Sequence, residues 1–74
     1  MGKLYELDVP LRGQSARVWL MDILLPNENE IKFVYRVFVT DPEDDSESEL
    51  TQTTQEEREH IYRAILKDLQ ELCS

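Results

Sequence analysis

With 74 residues, 16 acidic against 8 basic side chains and a net charge of −8, the chain is one small acidic domain with no room for a second core. The charge argues against direct binding to nucleic-acid phosphates, which needs clustered Lys and Arg, and against adsorption to anionic membranes. A single cysteine and a single histidine exclude an intrachain disulfide and a structural zinc site of Cys/His type.

A core of this size rarely supplies more than ~3–5 kcal/mol, so oligomerisation is the expected source of further stability. Lys3, Glu6 and Asp8 interrupt the first ten residues, which therefore do not read as a signal peptide. Nowhere does an apolar run approach the ~20 residues needed to cross a bilayer. One unpaired thiol fits a reducing compartment, and the expected location is cytoplasmic.

In residues 3–9, Tyr5, Leu7 and Val9 share one face while Leu4, Glu6 and Asp8 share the other. Side chains alternate along a strand, so this segment predicts an edge strand with one wet face. Pro10 cannot donate to a ladder and Gly13 accepts positive φ, which marks residues 10–15 as a turn. Residues 16–25 and 31–40 follow as the two most apolar strands, joined by a loop over 26–30. Trp19, Met21, Ile23 and Leu25 form a stripe in the first, and Ile31, Phe33, Tyr35, Val37 and Val39 form one in the second. Keeping both stripes on one face sets Leu25 opposite Ile31 and Met21 opposite Tyr35.

Residues 41–52 differ in kind. Asp41, Glu43, Asp44, Asp45, Glu47 and Glu49 place six acids in nine residues, and Leu50 is the only large apolar side chain. Self-repulsion predicts a solvated, mobile connector. A helix over about 54–73 comes next. Thr53 with Glu56, or Thr54 with Glu57, makes a capping box. Ile61, Ile65, Leu69 and Leu72 recur at helical spacing, widened by Tyr62, Ala64, Leu66 and Cys73. At 1.5 Å per residue such a helix spans ~30 Å, enough to lie across a sheet. The predicted fold is α+β: a three-stranded antiparallel meander with one C-terminal helix on one face (β-β-β-α). Its core is Trp19, Ile23, Phe33, Tyr35, Val37, Ile61, Ile65 and Leu69.

Residues that could carry chemistry are few. Glu57 and His60 resemble half of a carboxylate–histidine metal pair, but a di-metal site needs such motifs from several helices. Cys73 lies at the negative end of a helix, which works against a reactive thiolate. Two glycines cannot build a phosphate-cradling loop. No catalytic residue, metal or cofactor is expected.

Two surfaces remain. If the helix covers the odd-numbered stripe, the open face shows Leu4, Val18, Leu20, Leu24, Val34 and Phe38, an apolar patch large enough for an interface. A homodimer burying Leu20 and Phe38 would use it. The acids Asp41, Glu43, Asp44, Asp45, Glu47 and Glu49, extended by Glu56 and Glu57, would suit a protein partner with a basic surface. The expected function is a non-catalytic protein-binding module, a regulator or inhibitor presenting a nucleic-acid-like negative surface to a basic site. The alternative is a structural or assembly subunit docked through the open face. Salt dependence separates them, because charge-led binding weakens steeply with ionic strength.

Overall fold

The computed structural model describes residues 2–73; Met1 and Ser74, the ends of the expected domain, lie outside them. Four strands, β1 (Tyr5–Leu11), β2 (Gln14–Asn27), β3 (Glu30–Thr40) and β4 (Glu47–Glu49), precede one helix, α1 (Gln55–Cys73). The strands form a single antiparallel meander in the order β1-β2-β3-β4, with α1 on one face. The α+β class and the edge position of β1 are as expected, but there are four strands rather than three.

The fourth strand lies inside the segment expected to be mobile. Asp41 Oδ1 accepts the Glu43 N–H at 2.9 Å, Asp44 Oδ1 accepts the Ser46 N–H at 2.9 Å, and Asp45 takes φ +60°. These short Asp side chains make local bonds that close a turn. Ser48 then falls opposite Val39, and the Leu50 N–H donates to Val37 O at 2.8 Å. Leu50 packs against the core. Charge repulsion is offset on this strand by two arginines described below.

Both hairpins turn more tightly than predicted. Leu11 pairs with Gln14, leaving Arg12 and Gly13 as a two-residue turn with φ +52° and +76°. Positive φ at both positions matches the right-handed twist of the flanking strands. Pro10 is tolerated inside β1 because that strand is an edge. At the other hairpin Asn27 pairs with Glu30, and Asn27 Oδ1 accepts the Asn29 N–H at 2.9 Å.

The largest departure from expectation is in β2. Leu20 sits opposite Tyr35 and Val18 opposite Val37, one residue away from the expected register. Beyond a bulge at Met21, Ile23 sits opposite Phe33, which is the expected register. Met21 is the extra residue, and an extra residue inverts the parity of everything after it. Ala16, Val18 and Leu20 therefore face α1 from the first half, and Ile23 from the second. Val18 and Leu20, expected on the open face, are fully buried, while Trp19, expected in the core, lies on the open face against Phe38. A single uninterrupted stripe was the wrong period for a strand whose apolar residues occupy both parities.

The buried core is Val9, Leu11, Ala16, Val18, Leu20, Val37, Ile61 and Ile65. Tyr5, Leu7, Phe33, Tyr35, Val39, Ala64 and Leu69 pack half-buried around it. It sits at the base of the sheet, where β1, β2, β3 and α1 overlap. The β2–β3 hairpin runs on past the ends of β1 and β4 as an arm, and the molecule measures 44 × 25 × 24 Å.

Thr54 and Glu57 form the capping box, with the Thr54 N–H donating to Glu57 Oε1 at 2.9 Å and the Glu57 N–H to Thr54 Oγ1 at 3.1 Å. Glu57 also accepts from Arg12, at 2.6 Å from Nε and 2.9 Å from the terminal nitrogen. Arg12 donates further to Gln52 O at 3.2 Å. One arginine in a tight turn thus ties the first hairpin to the start of the helix.

Candidate docking surfaces

Past the bulge, β2 and β3 pair only with each other among the described residues. β1 reaches β2 only as far as Leu20, through the Leu4 N–H, and β4 reaches β3 only from Val37 onward. The same apolar content that closes the base is therefore left uncovered on the arm. On its open face, Leu24 and Val34 are each 43% exposed and Leu4 is 63% exposed. With Gly2, Met21 and Asp22 they line a shallow trough of ≈ 400 Å³. On the helix side, Ile23, Ile31 and Phe33 line an apolar depression with Leu66, Leu69, Gln70 and Cys73.

Toward the base, the open face is partly sealed by its own side chains. The Trp19 and Phe38 rings lie 4.6 Å apart at 47°, the Lys3 ammonium sits 4.5 Å over Trp19, and the Arg36 guanidinium lies 5.3 Å from Phe38. Trp19 Nε1 is buried beside its cross-strand neighbour Glu6, whose carboxyl is held below its usual pKa first by Lys3 and, least of all, by Trp19. Of the six residues expected at this interface, Leu4, Leu24 and Val34 form an exposed group. Phe38 is half-buried, and Val18 and Leu20 belong to the core.

The acidic residues do not form a continuous row. Glu47 pairs with Arg17 at 3.4 Å, Glu49 pairs with Arg36, and Glu57 is held by Arg12. The Arg36 guanidinium holds the Glu49 carboxyl below its usual pKa. Arg12, and after it the Thr54 N–H, lower Glu57 from 4.5 to about 2. Asp41, Glu43, Asp44 and Asp45 stay clustered at the β3–β4 turn, and Glu56 is exposed in the first turn of α1.

No protein-family model matches the chain, and neither curated proteins nor solved structures give a match.

His60 is exposed beside Glu56 and Glu57, and Cys73 is exposed at the end of α1. Among the described residues, no three His, Cys, Asp or Glu side chains come together as a metal site. None of the described helices is long and apolar enough to cross a membrane.

Sequence reasoning missed Arg12, Arg17 and the pairing of Arg36 with Glu49, since these partners lie across strands or far along the chain. The Arg12-Gly13 pair was a usable sign, since a two-residue turn fixes where its first side chain starts. Nothing local signalled the bulge at Met21.

Proposed function

We propose that this chain is a non-catalytic protein-binding module that docks through the open face of its projecting hairpin arm. The observation that carries this reading is the exposure of Leu4, Leu24 and Val34 around one trough, on a part of the sheet with no covering layer. Contiguous apolar surface of that kind marks interaction sites, and a projecting two-stranded arm brings it within reach of a partner's groove. Asp22 at the trough and the overall charge of −8 favour a partner whose apolar site has a basic rim.

Presentation of a nucleic-acid-like acidic row is the second reading. It rests on Asp41, Glu43, Asp44 and Asp45, held in place by the Asx bonds of the turn. Three of the eight acids first considered for it already face arginines, so the remaining cluster, at the base end of β3 away from the arm, acts as a long-range steering charge.

The test is affinity capture from the native host with three proteins: the unmutated chain, Leu24→Lys/Val34→Lys, and a variant with Asp41, Glu43, Asp44 and Asp45 changed to Asn or Gln. A partner kept by the unmutated chain at high salt and lost with the double lysine variant is the expected result. A partner indifferent to Leu24 and Val34 but released by the turn variant would transfer the function to the acids.

A further inference from the structure

The arm has two unpaired edges, and they are not equivalent. Along β2 the edge is blunted. Asp22 Oδ1 accepts the Ile23 N–H at 2.8 Å, and Pro26 has no N–H to offer. Along β3 it is open. The Leu50 N–H donates to Val37 O on the β4 side, so by the alternation of a strand Ile31, Phe33 and Tyr35 turn their N–H and C=O groups to that same side. β4 ends there, and among the described residues no strand lies on that side of the β3 segment from Glu30 to Arg36.

We infer that this edge pairs with a second copy of the same chain, antiparallel, about a two-fold axis at Phe33. The free segment has seven residues, Glu30 to Arg36, and Phe33 is the middle one. Centred there, Glu30 faces Arg36 of the second copy, Ile31 faces Tyr35, Lys32 faces Val34 and Phe33 faces itself. Opposite charges meet at both ends, and the helix-side positions are apolar throughout. The neighbouring centres are worse. An axis at Lys32 sets two lysines opposite each other, and one at Val34 sets Lys32 against Arg36. An axis at Tyr35 brings Val37 into the pairing, where Leu50 is already bonded.

The helix adds surface on the same side. Glu57 and Asp68 reach across to Arg12 and Tyr5 at the β1 end, which leaves Arg58 and Tyr62 on the β3 flank. The Tyr62 ring lies 5.2 Å from Phe33 and is 37% exposed, continuing the apolar surface of the edge. Charge permits the approach in a chain of net charge −8. Along this flank Lys32, Arg36 and Arg58 stand against Glu30, Glu49 and Glu59. The two sheets would become continuous through their β3 strands, with both helices on one side. This edge shares Val34 with the open-face trough, but its pairing runs through backbone groups on the β4 side, so amide exchange on the unmutated chain reads it independently of partner capture.

The test combines sedimentation equilibrium with amide exchange on the full chain. The expected result is a dimer whose formation protects the Ile31, Phe33 and Tyr35 amides in proportion to protein concentration. Glu30→Arg alone sets Arg against Arg36 and should weaken dimerisation by about tenfold from the two symmetry-related clashes. Glu30→Arg/Arg36→Glu restores opposite charges and should bring it back to within about threefold. Glu30 and Arg36 are exposed, but Arg36 also holds Glu49, so the double variant is read with the Leu50 amide as a check that β4 stays paired. The exchange data on the unmutated chain decide the question by themselves. A monomer at millimolar concentration overturns the proposal. So does a dimer in which those three amides exchange freely, or protection that does not vary with concentration.

Discussion

The base of the sheet and its arm are built from the same kinds of residue and come to different ends. At the base, β1 and β3 flank β2 and α1 lies across all three, so Val18, Leu20 and Val37 lose almost all contact with water. On the arm, Ile23, Leu24, Ile31 and Val34 continue the same strands yet remain more than a third exposed. Apolar content does not set burial; the number of layers overhead does. The base is where stability is made, and the arm is where apolar surface is left for another molecule.

Truncation should break the two regions very unequally. Leu20→Ala or Ile65→Ala leaves a cavity in a closed core and should cost ~2–5 kcal/mol, enough to unfold most of a domain of this size. Leu24→Ala should cost less than about 1 kcal/mol, as at other half-exposed sites. Urea denaturation of the three variants measures both, and equal losses at Leu20 and Leu24 would remove the distinction.

Deleting Met21 tests the joint between the regions. With the extra residue gone, alternation alone carries Leu20 and Ile23 to the helix face, so the variant should fold with Ile23 still opposite Phe33. The expected loss is about 1–2 kcal/mol, from side-chain packing and local twist. A continuous, unbulged strand would instead have half its side chains turned over by the deletion and would not fold. Cross-strand proton contacts between Ile23 and Phe33 distinguish the two.

Acid should act on the base through Glu57. Glu57 titrates at about 2 when folded against 4.5 ordinarily, so its contribution is present above pH 4.5 and is lost as pH falls toward 2. The stability gap between the unmutated chain and Glu57→Gln should be constant near neutrality and close across that window. A gap that persisted below pH 2 would mean that Glu57 acts through packing and not through its charge. Smallest of all should be Leu25→Ser on the arm, where the side chain is 71% exposed: a change within about 0.5 kcal/mol by the same denaturation assay.

Much of the base could be read from the sequence, because its signals are local. The helix, its capping box and its Ile61–Ile65 stripe follow from spacing, and the Tyr5–Leu7–Val9 face follows from alternation. What could not be read depends on contacts between distant residues. Parity in β2 changes at Met21 because Ile23 is needed over Phe33 while Leu20 is needed over Ile61 and Ile65, and no neighbour of Met21 announces this. The acidic segment looked too charged to fold because Arg17 and Arg36, which neutralise Glu47 and Glu49, lie 30 and 13 positions earlier in the chain. Of the expected open-face patch, Leu4, Leu24 and Val34 are exposed, and the bulge accounts for the two lost to the core.

Arg12 shows the opposite bargain between local and distant demands. It holds φ +52°, a conformation that Gly or Asn adopts with less strain, so judged by its turn alone it is a poor choice. Judged by what it reaches, it closes a contact across 45 positions and fastens the helix start to a hairpin that can form without it. Local and global preferences disagree at this one residue, a small frustration built into an otherwise consistent chain. Kinetically, an Asn there would ease the turn and let the first hairpin close sooner, while α1 would dock later and less firmly. A slower turn and a firmer helix are the paired consequences expected of Arg12.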